Sequence, residues 1–195
     1  FVNFYSSLKE KLHYDSFGHM LEALKALTIN GGADVNNCWY PVMGKADFKS
    51  AFKTLGVKIE TSKEKVIIYG KGLNSLRKPD RSIYLGNSGT SARLLTGLLS
   101  SQTFETILEG DRSLSTRPMK RIMDPLKLMG AEFENTSGTL PLKIIGKKLN
   151  KSTIEIKIPS AQIKSGLILA SLNIEGISHI IEKNNTRDHT ENMLQ

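Results

Sequence analysis

The chain has 195 residues, 39% of them hydrophobic and 24% charged, which is the balance of a globular protein and not of a disordered or fibrous one. No apolar run approaches the roughly 18 residues that span a bilayer, and the opening stretch FVNFYSSLKEK lacks a signal-peptide core. A single cysteine, Cys38, excludes an internal disulfide and a cysteine metal cluster, and it fits a reducing cytoplasm.

The net charge of +8 and pI of about 9.5 fit small phosphorylated or carboxylated substrates, or simply a solvated basic surface. The 27 lysines and arginines are spread along the chain, without an aromatic-interleaved basic stretch or zinc-finger spacing, so no nucleic-acid partner and no membrane partner are expected.

Two stretches share one plan. AFKTLGVKIETSKEKVIIYGKGL (51–73) and PLKLMGAEFENTSGTLPLKIIGKKL (125–149) each read as a helix end, a Leu or Met, a glycine, two short strands around a polar turn, a second glycine and a Lys-x-Leu ending. Gly56 and Gly130 are then helix C′ residues that release the chain into β-hairpins, and the pair marks an internal repeat. With no linker between the units, they are subunits of one domain.

Between them, RSIYLGN predicts a short strand and SARLLTGLLSS a helix, which makes Gly86 to Thr90 a strand-to-helix turn. Such a turn gathers free backbone N–H groups at the positive end of a helix dipole. Gly89 lets a ligand approach the backbone, and Thr90 is placed as an N-cap or a ligand donor. A capped turn holding nothing is the plainer reading of the stretch. Neither the Walker pattern nor the dinucleotide fingerprint is present.

In EGDRSLSTRPMKR, Arg112, Arg117, Lys120 and Arg121 crowd a helix entrance, where cations oppose the dipole unless an anion sits between them; the alternative is that they face water. The helix that follows places Met119, Ile122, Met123, Leu126 and Met129 on one apolar stripe that packs on the sheet, with Pro118 in its first turn. Pro125 is interior and is expected to kink or divide it. Pro159, Ser160, Ala161 and Gln162 precede another apolar helix. Near the end, Thr186, Arg187, Asp188, His189 and Glu191 form a further polar helix entrance, with Thr186 or Asp188 as a cap.

LGNSGTSARLL, GDRSLSTRPMKRIMDPLKLMGA, LPLKI, PSAQIKSGLILASL and TRDHTENML, in this order, resemble the successive signatures of the EPSP synthase (3-phosphoshikimate 1-carboxyvinyltransferase) family. The cysteine-free loop EGDRSLSTRP separates the chain from the related UDP-N-acetylglucosamine enolpyruvyl transferases. The Ser-Ala-Gln-x-Lys and Arg-x-His-x-Glu patterns resemble the variety that includes glyphosate-tolerant members.

That resemblance implies an α/β (α+β) fold of repeated βαβαββ units, with subunits at about residues 12–75, 76–150 and 151–195, the third incomplete. It implies transfer of the enolpyruvyl group of phosphoenolpyruvate to the 5-hydroxyl of shikimate 3-phosphate, in the shikimate pathway, with no metal and no cofactor. By the same resemblance Asn87, Gly89, Thr90, Arg117 and Gln162 bind phosphoenolpyruvate, and Ser16, Ser160, Ala161, Gln162 and Arg187 bind shikimate 3-phosphate.

The stretch YDSFGHM departs from the family's opening motif. Ser16 and His19 correspond, but Asp15 stands where a lysine is expected and Met20 where an arginine is expected, exchanges that weaken the binding of polyanions. Family members have a second domain that carries the proton-transfer aspartate, so the catalytic residues are expected outside these 195 and a C-terminal half is an expected partner. The alternatives are a non-catalytic anion-binding domain and an RNA-end-processing relative of similar fold.

Overall fold

Two helices end in the same hydrogen-bonded turn. In the computed structural model, which describes residues 33–36, 48–61, 65–134 and 137–194, helix α1 spans Phe48–Thr54 and strands β2 and β3 span Lys58–Thr61 and Lys65–Tyr69. The Val57 N–H donates to the Phe52 carbonyl at 3.0 Å and the Gly56 N–H to that of Lys53 at 2.9 Å. The helix Lys120–Leu128 ends identically, with Ala131 donating to Leu126 at 3.0 Å and Gly130 to Lys127 at 2.9 Å. Both glycines hold positive φ, 86° and 95°, as this Schellman turn requires.

Each turn releases a hairpin of matching register. In the first, Lys58 faces Tyr69 and Ile59 faces Ile68. In the second, β6 (Glu132–Phe133) and β7 (Leu142–Ile145) place Glu132 opposite Ile145 and Phe133 opposite Ile144. β3 also pairs antiparallel with β1 (Ala33–Asn36), and β7 with β5 (Glu105–Glu109), so the order β1-β3-β2 recurs as β5-β7-β6.

The second sheet gains β4 (Ile83–Tyr84), parallel to β5 and joined to it by α2 (Gly89–Ser100). A one-turn helix α3 (Arg112–Ser115) precedes α4, the helix Lys120–Leu128. The same strand-helix-strand unit returns as β8 (Thr153–Ile156), α5 (Ala161–Ser171) and β9 (His179–Glu182), again parallel, followed by α6 (His189–Leu194). This is the mixed α/β architecture of repeated βαβαββ units.

Helices α2, α4 and α5 pack against one another, not only against the sheets. Ten of the twelve residues of α2 are buried, so the helix is covered on every side. Its buried hydroxyls are satisfied locally: Thr96 donates to the Ala92 carbonyl and Ser100 to that of Thr96, each at 2.7 Å. α2 and α5 meet backbone to backbone, because a Cβ at Gly97 would fall 1.9 Å from the Gly166 carbonyl oxygen.

The methionine stripe of α4 lies in the core: Met119, Ile122, Met123, Leu126 and Met129 are each no more than 2% exposed. Two details of that helix differ from expectation. Pro118 lies outside the first turn, since the helix begins at Lys120 with Met119 as N-cap, anchored by its N–H on the Gly138 carbonyl at 2.7 Å. Pro125 does not divide the helix. It removes a single backbone bond, and buried Ile122, Met123 and Leu126 hold the turns on both sides of it together.

Candidate functional site

The loop between β4 and α2 is shaped by its neighbours before any ligand is considered. Leu85 donates to the Glu109 carbonyl and Asp111 to that of Gly86, both at 2.8 Å, which lashes the turn to the end of β5. The N-cap of α2 is Ser88, not Thr90: its hydroxyl accepts from the Ser91 N–H at 3.2 Å. Asp111 caps α3 in the same way, accepting from Leu114 at 2.7 Å. Two helix entrances therefore open side by side, and the capping of α2 by Ser88 leaves Thr90 for another purpose.

That purpose is a contact with the third entrance. The Gln162 amide donates through Nε2 to the Thr90 hydroxyl at 2.8 Å, and its Oε1 accepts from Arg93 Nη1 at 3.0 Å. The same Nη1 reaches back to the Gly89 carbonyl at 3.0 Å, and Nη2 to that of Pro118 at 3.4 Å. Arg93 thus ties α2, α5 and the loop before α4 together. One Gln162 N–H and one Oε1 lone pair stay outside this network.

Arg117 covers the turn from the other side. Its Nη1 donates to the Asn87 carbonyl at 3.4 Å, its Nη2 to the Asn87 side-chain oxygen and to the Ser113 hydroxyl. A Cβ on Gly89 would lie 2.8 Å from Arg93 Nη1 and 3.2 Å from Arg117 Nη1. Glycine here lets both guanidinium groups close on the helix N-terminus. Among the described residues, their hydrogen-bond partners are neutral oxygens. Burial lowers the Arg93 pKa below the usual guanidinium value, and the charges of Arg117 and Arg121 lower it further. Together they make a local excess of positive charge at a helix N-terminus, the electrostatics of an anion cradle.

Asn87, Gly89, Thr90, Arg117 and Gln162, expected on one ligand, are thus brought together. Ser160 is the N-cap of α5, accepting from Ile163 at 3.4 Å, and directly precedes Ala161 and Gln162 in the helix's first turn, each half-buried. Arg112, Lys120 and Arg121 are exposed at the starts of α3 and α4. Arg187 is exposed on the segment between β9 and α6, and Thr186 does not cap that helix: its hydroxyl donates to Glu182 Oε1 at 2.5 Å. Asp15, Ser16, His19, Met20 and Cys38 lie outside the described residues.

Two residues to which the sequence reading gave no role organise this region. Arg93 is one; the other is Lys164, 6% exposed, whose ammonium lies 2.7 Å from Glu182 Oε2 and 2.6 Å from Glu191 Oε1. Burial pulls the Lys164 pKa down, but the two carboxylates outweigh it and leave the value raised. The signal for both was available: each is the one charged residue in an otherwise apolar or small-residue helix, GTSARLLTGLLS and AQIKSGLILAS.

Among the described residues no helix is long and apolar enough to cross a membrane. Residues 46–195 match the family profile described as EPSP synthase (3-phosphoshikimate 1-carboxyvinyltransferase). A 3-phosphoshikimate 1-carboxyvinyltransferase of Lactiplantibacillus plantarum is 51% identical over 167 residues, 86% of this chain and 39% of that protein. The EPSP synthase structure from Acinetobacter baumannii superposes with a TM-score of 0.85 at 40% identity, covering 93% of this chain and 41% of the other. The enolpyruvyl transferase NikO of Streptomyces tendae shares the fold alone, at TM-score 0.60 and 14% identity. The chain therefore spans about two-fifths of the length of these relatives, and with three-quarters of its residues inside the family match it belongs to the EPSP synthase family.

Proposed function

We propose that this chain is the part of an EPSP synthase that gathers shikimate 3-phosphate and phosphoenolpyruvate, for transfer of the enolpyruvyl group to the shikimate 5-hydroxyl with release of phosphate. The observation that carries the reading is the convergence of Arg93 and Arg117 on the α2 N-terminus at Gly89, with no carboxylate neutralising either among the described residues. Two unneutralised guanidinium groups at a helix entrance favour an anionic occupant. In this reading Asn87, Gly89, Thr90 and Arg117 face phosphoenolpyruvate, whose carboxylate and phosphate suit paired guanidinium donors. Ser160, Ala161 and Arg187 face shikimate 3-phosphate, as does Ser16. Gln162 stands between the two ligands.

The chain's own residues bind and orient the two anions; proton transfer belongs to groups outside these 195 residues. The units at about 12–75, 76–150 and 151–195 are, in the same reading, subunits of a first domain, with a C-terminal half as its partner across a cleft. A cytoplasmic setting goes with it. Calorimetric titration of the 195-residue chain tests the assignment. Charge-assisted hydrogen bonds contribute about 1.5–3 kcal/mol each, so two or three donors suffice for a millimolar site. Gln162→Ala weakens shikimate 3-phosphate several-fold, and Arg117→Ala leaves it nearly unchanged while weakening phosphoenolpyruvate. Equal losses of shikimate 3-phosphate in both variants overturn the assignment.

A further inference from the structure

Lys164 is buried one helical turn from Ser160, to whose carbonyl its own N–H donates at 3.0 Å. A buried ammonium persists only where it is paired. The two partners of Lys164 stand at opposite ends of one segment: Glu182 closes β9, and Glu191 lies in α6. Glu182 uses its two oxygens differently. Oε2 takes the Lys164 ammonium, while Oε1 takes the Thr186 hydroxyl at 2.5 Å, which folds the chain back on itself one residue before Arg187. A buried pair of hydroxyls, Ser165 and Thr190 at 2.6 Å, fastens α5 to α6 beside it.

The stretch from Glu182 to Glu191 is therefore pinned to α5 at three points, with Arg187 exposed in between. We propose that Lys164 is a positioning residue for shikimate 3-phosphate, acting through Glu182 and Thr186 to hold Arg187 at the entrance formed by Ser160, Ala161 and Gln162. The inference deepens the functional reading above and rests on it. Lys164 never touches the ligand in this account. An exposed segment loses backbone freedom when a ligand binds it, and a segment already fixed has less left to lose.

The test uses the full 195-residue chain with Thr186→Val, Lys164→Met and Lys164→Arg, read by calorimetric titration with shikimate 3-phosphate and with phosphoenolpyruvate. Amide hydrogen exchange at Arg187 is measured without ligand. Thr186→Val leaves the Lys164 pairing intact, so the fold is kept even if Lys164→Met fails to fold. It is expected to weaken shikimate 3-phosphate about threefold to tenfold, the range for one hydrogen bond, to speed exchange at Arg187, and to leave phosphoenolpyruvate unchanged. Lys164→Met does the same or more, and Lys164→Arg restores near wild-type behaviour. Wild-type shikimate 3-phosphate affinity in Thr186→Val, or unaltered exchange at Arg187, overturns the proposal while Gln162→Ala still scores the site. A wild-type chain that binds no shikimate 3-phosphate overturns both.

Discussion

Arg93 Nη1 donates to Gln162 Oε1 at 3.0 Å, joining two helices whose residues lie 69 positions apart in the chain. The bond fixes which way the Gln162 amide points, because its other end must then donate to Thr90. Arg93→Met removes the guanidinium and keeps most of the apolar stem. The expected outcome is a loss of about tenfold in shikimate 3-phosphate affinity by calorimetry, in line with one charge-assisted hydrogen bond. Arg93→Lys does not rescue it, since an ammonium has no second nitrogen to hold the Pro118 carbonyl while the first bonds the Gly89 carbonyl and the Gln162 amide.

Gly89→Ala separates binding from stability. The added Cβ meets the far ends of two flexible side chains, Arg93 and Arg117, which can move aside without disturbing the backbone. The melting temperature is expected to stay within about 2 °C of wild type, the shift for less than 1 kcal/mol in a chain of this size. Phosphoenolpyruvate affinity falls, since both guanidinium groups are displaced. Calorimetry and thermal unfolding on the same preparation check the pair of outcomes.

Gly97→Ala behaves oppositely. Here the Cβ would sit 1.9 Å from the Gly166 carbonyl, a backbone atom that moves only if α2 and α5 separate. Overpacking of this kind costs about 3 kcal/mol or more, which lowers the melting temperature by about 6–12 °C. Because Arg93 and Gln162 lie on those two helices, Thr90 and Gln162 part as well. Thermal unfolding followed by circular dichroism reads the first effect directly.

The ion pairs of Lys164 give the chain an acid limb. Burial pushes the Glu182 pKa up, but hydrogen bonds from Lys164 and Thr186 outweigh it and leave the carboxyl below its ordinary value. The folded chain then binds this proton less readily than the unfolded chain, so the stabilisation is present above the ordinary glutamate pKa of about 4.3 and is lost as pH falls through the lower folded value. Urea unfolding from pH 7 to pH 3 is expected to show that loss in wild type and a shallower one in Glu182→Gln.

The repeat was legible because its parts are local. A glycine at positive φ after an apolar helix end, followed by two short strands, has one reading wherever it occurs, and Gly56 and Gly130 announce it twice. The turn at Asn87 to Thr90 was legible for the same reason. The role of Thr90 was not, because Ser88 takes the cap and the partner of Thr90 comes from α5. Arg93 and Lys164 escaped for a related reason. Each stands out as the one charged residue of its helix, but its partners come from other elements, brought together by the close crossing at Gly97 and Gly166. Division of the helix at Pro125 is not legible as avoided from the sequence alone, because the buried Ile122, Met123 and Leu126 that hold its two halves together are set by the packing.

The most direct test of the central claim is an amide chemical-shift titration of the wild-type chain at low salt, with shikimate 3-phosphate in one series and inorganic phosphate in the other. The account predicts saturable shifts at Thr90, Ser160, Ala161 and Gln162, with shikimate 3-phosphate bound more tightly than phosphate. Shifts scattered over the exposed lysines, or equal affinity for the two anions, would contradict it and leave a basic surface without a site.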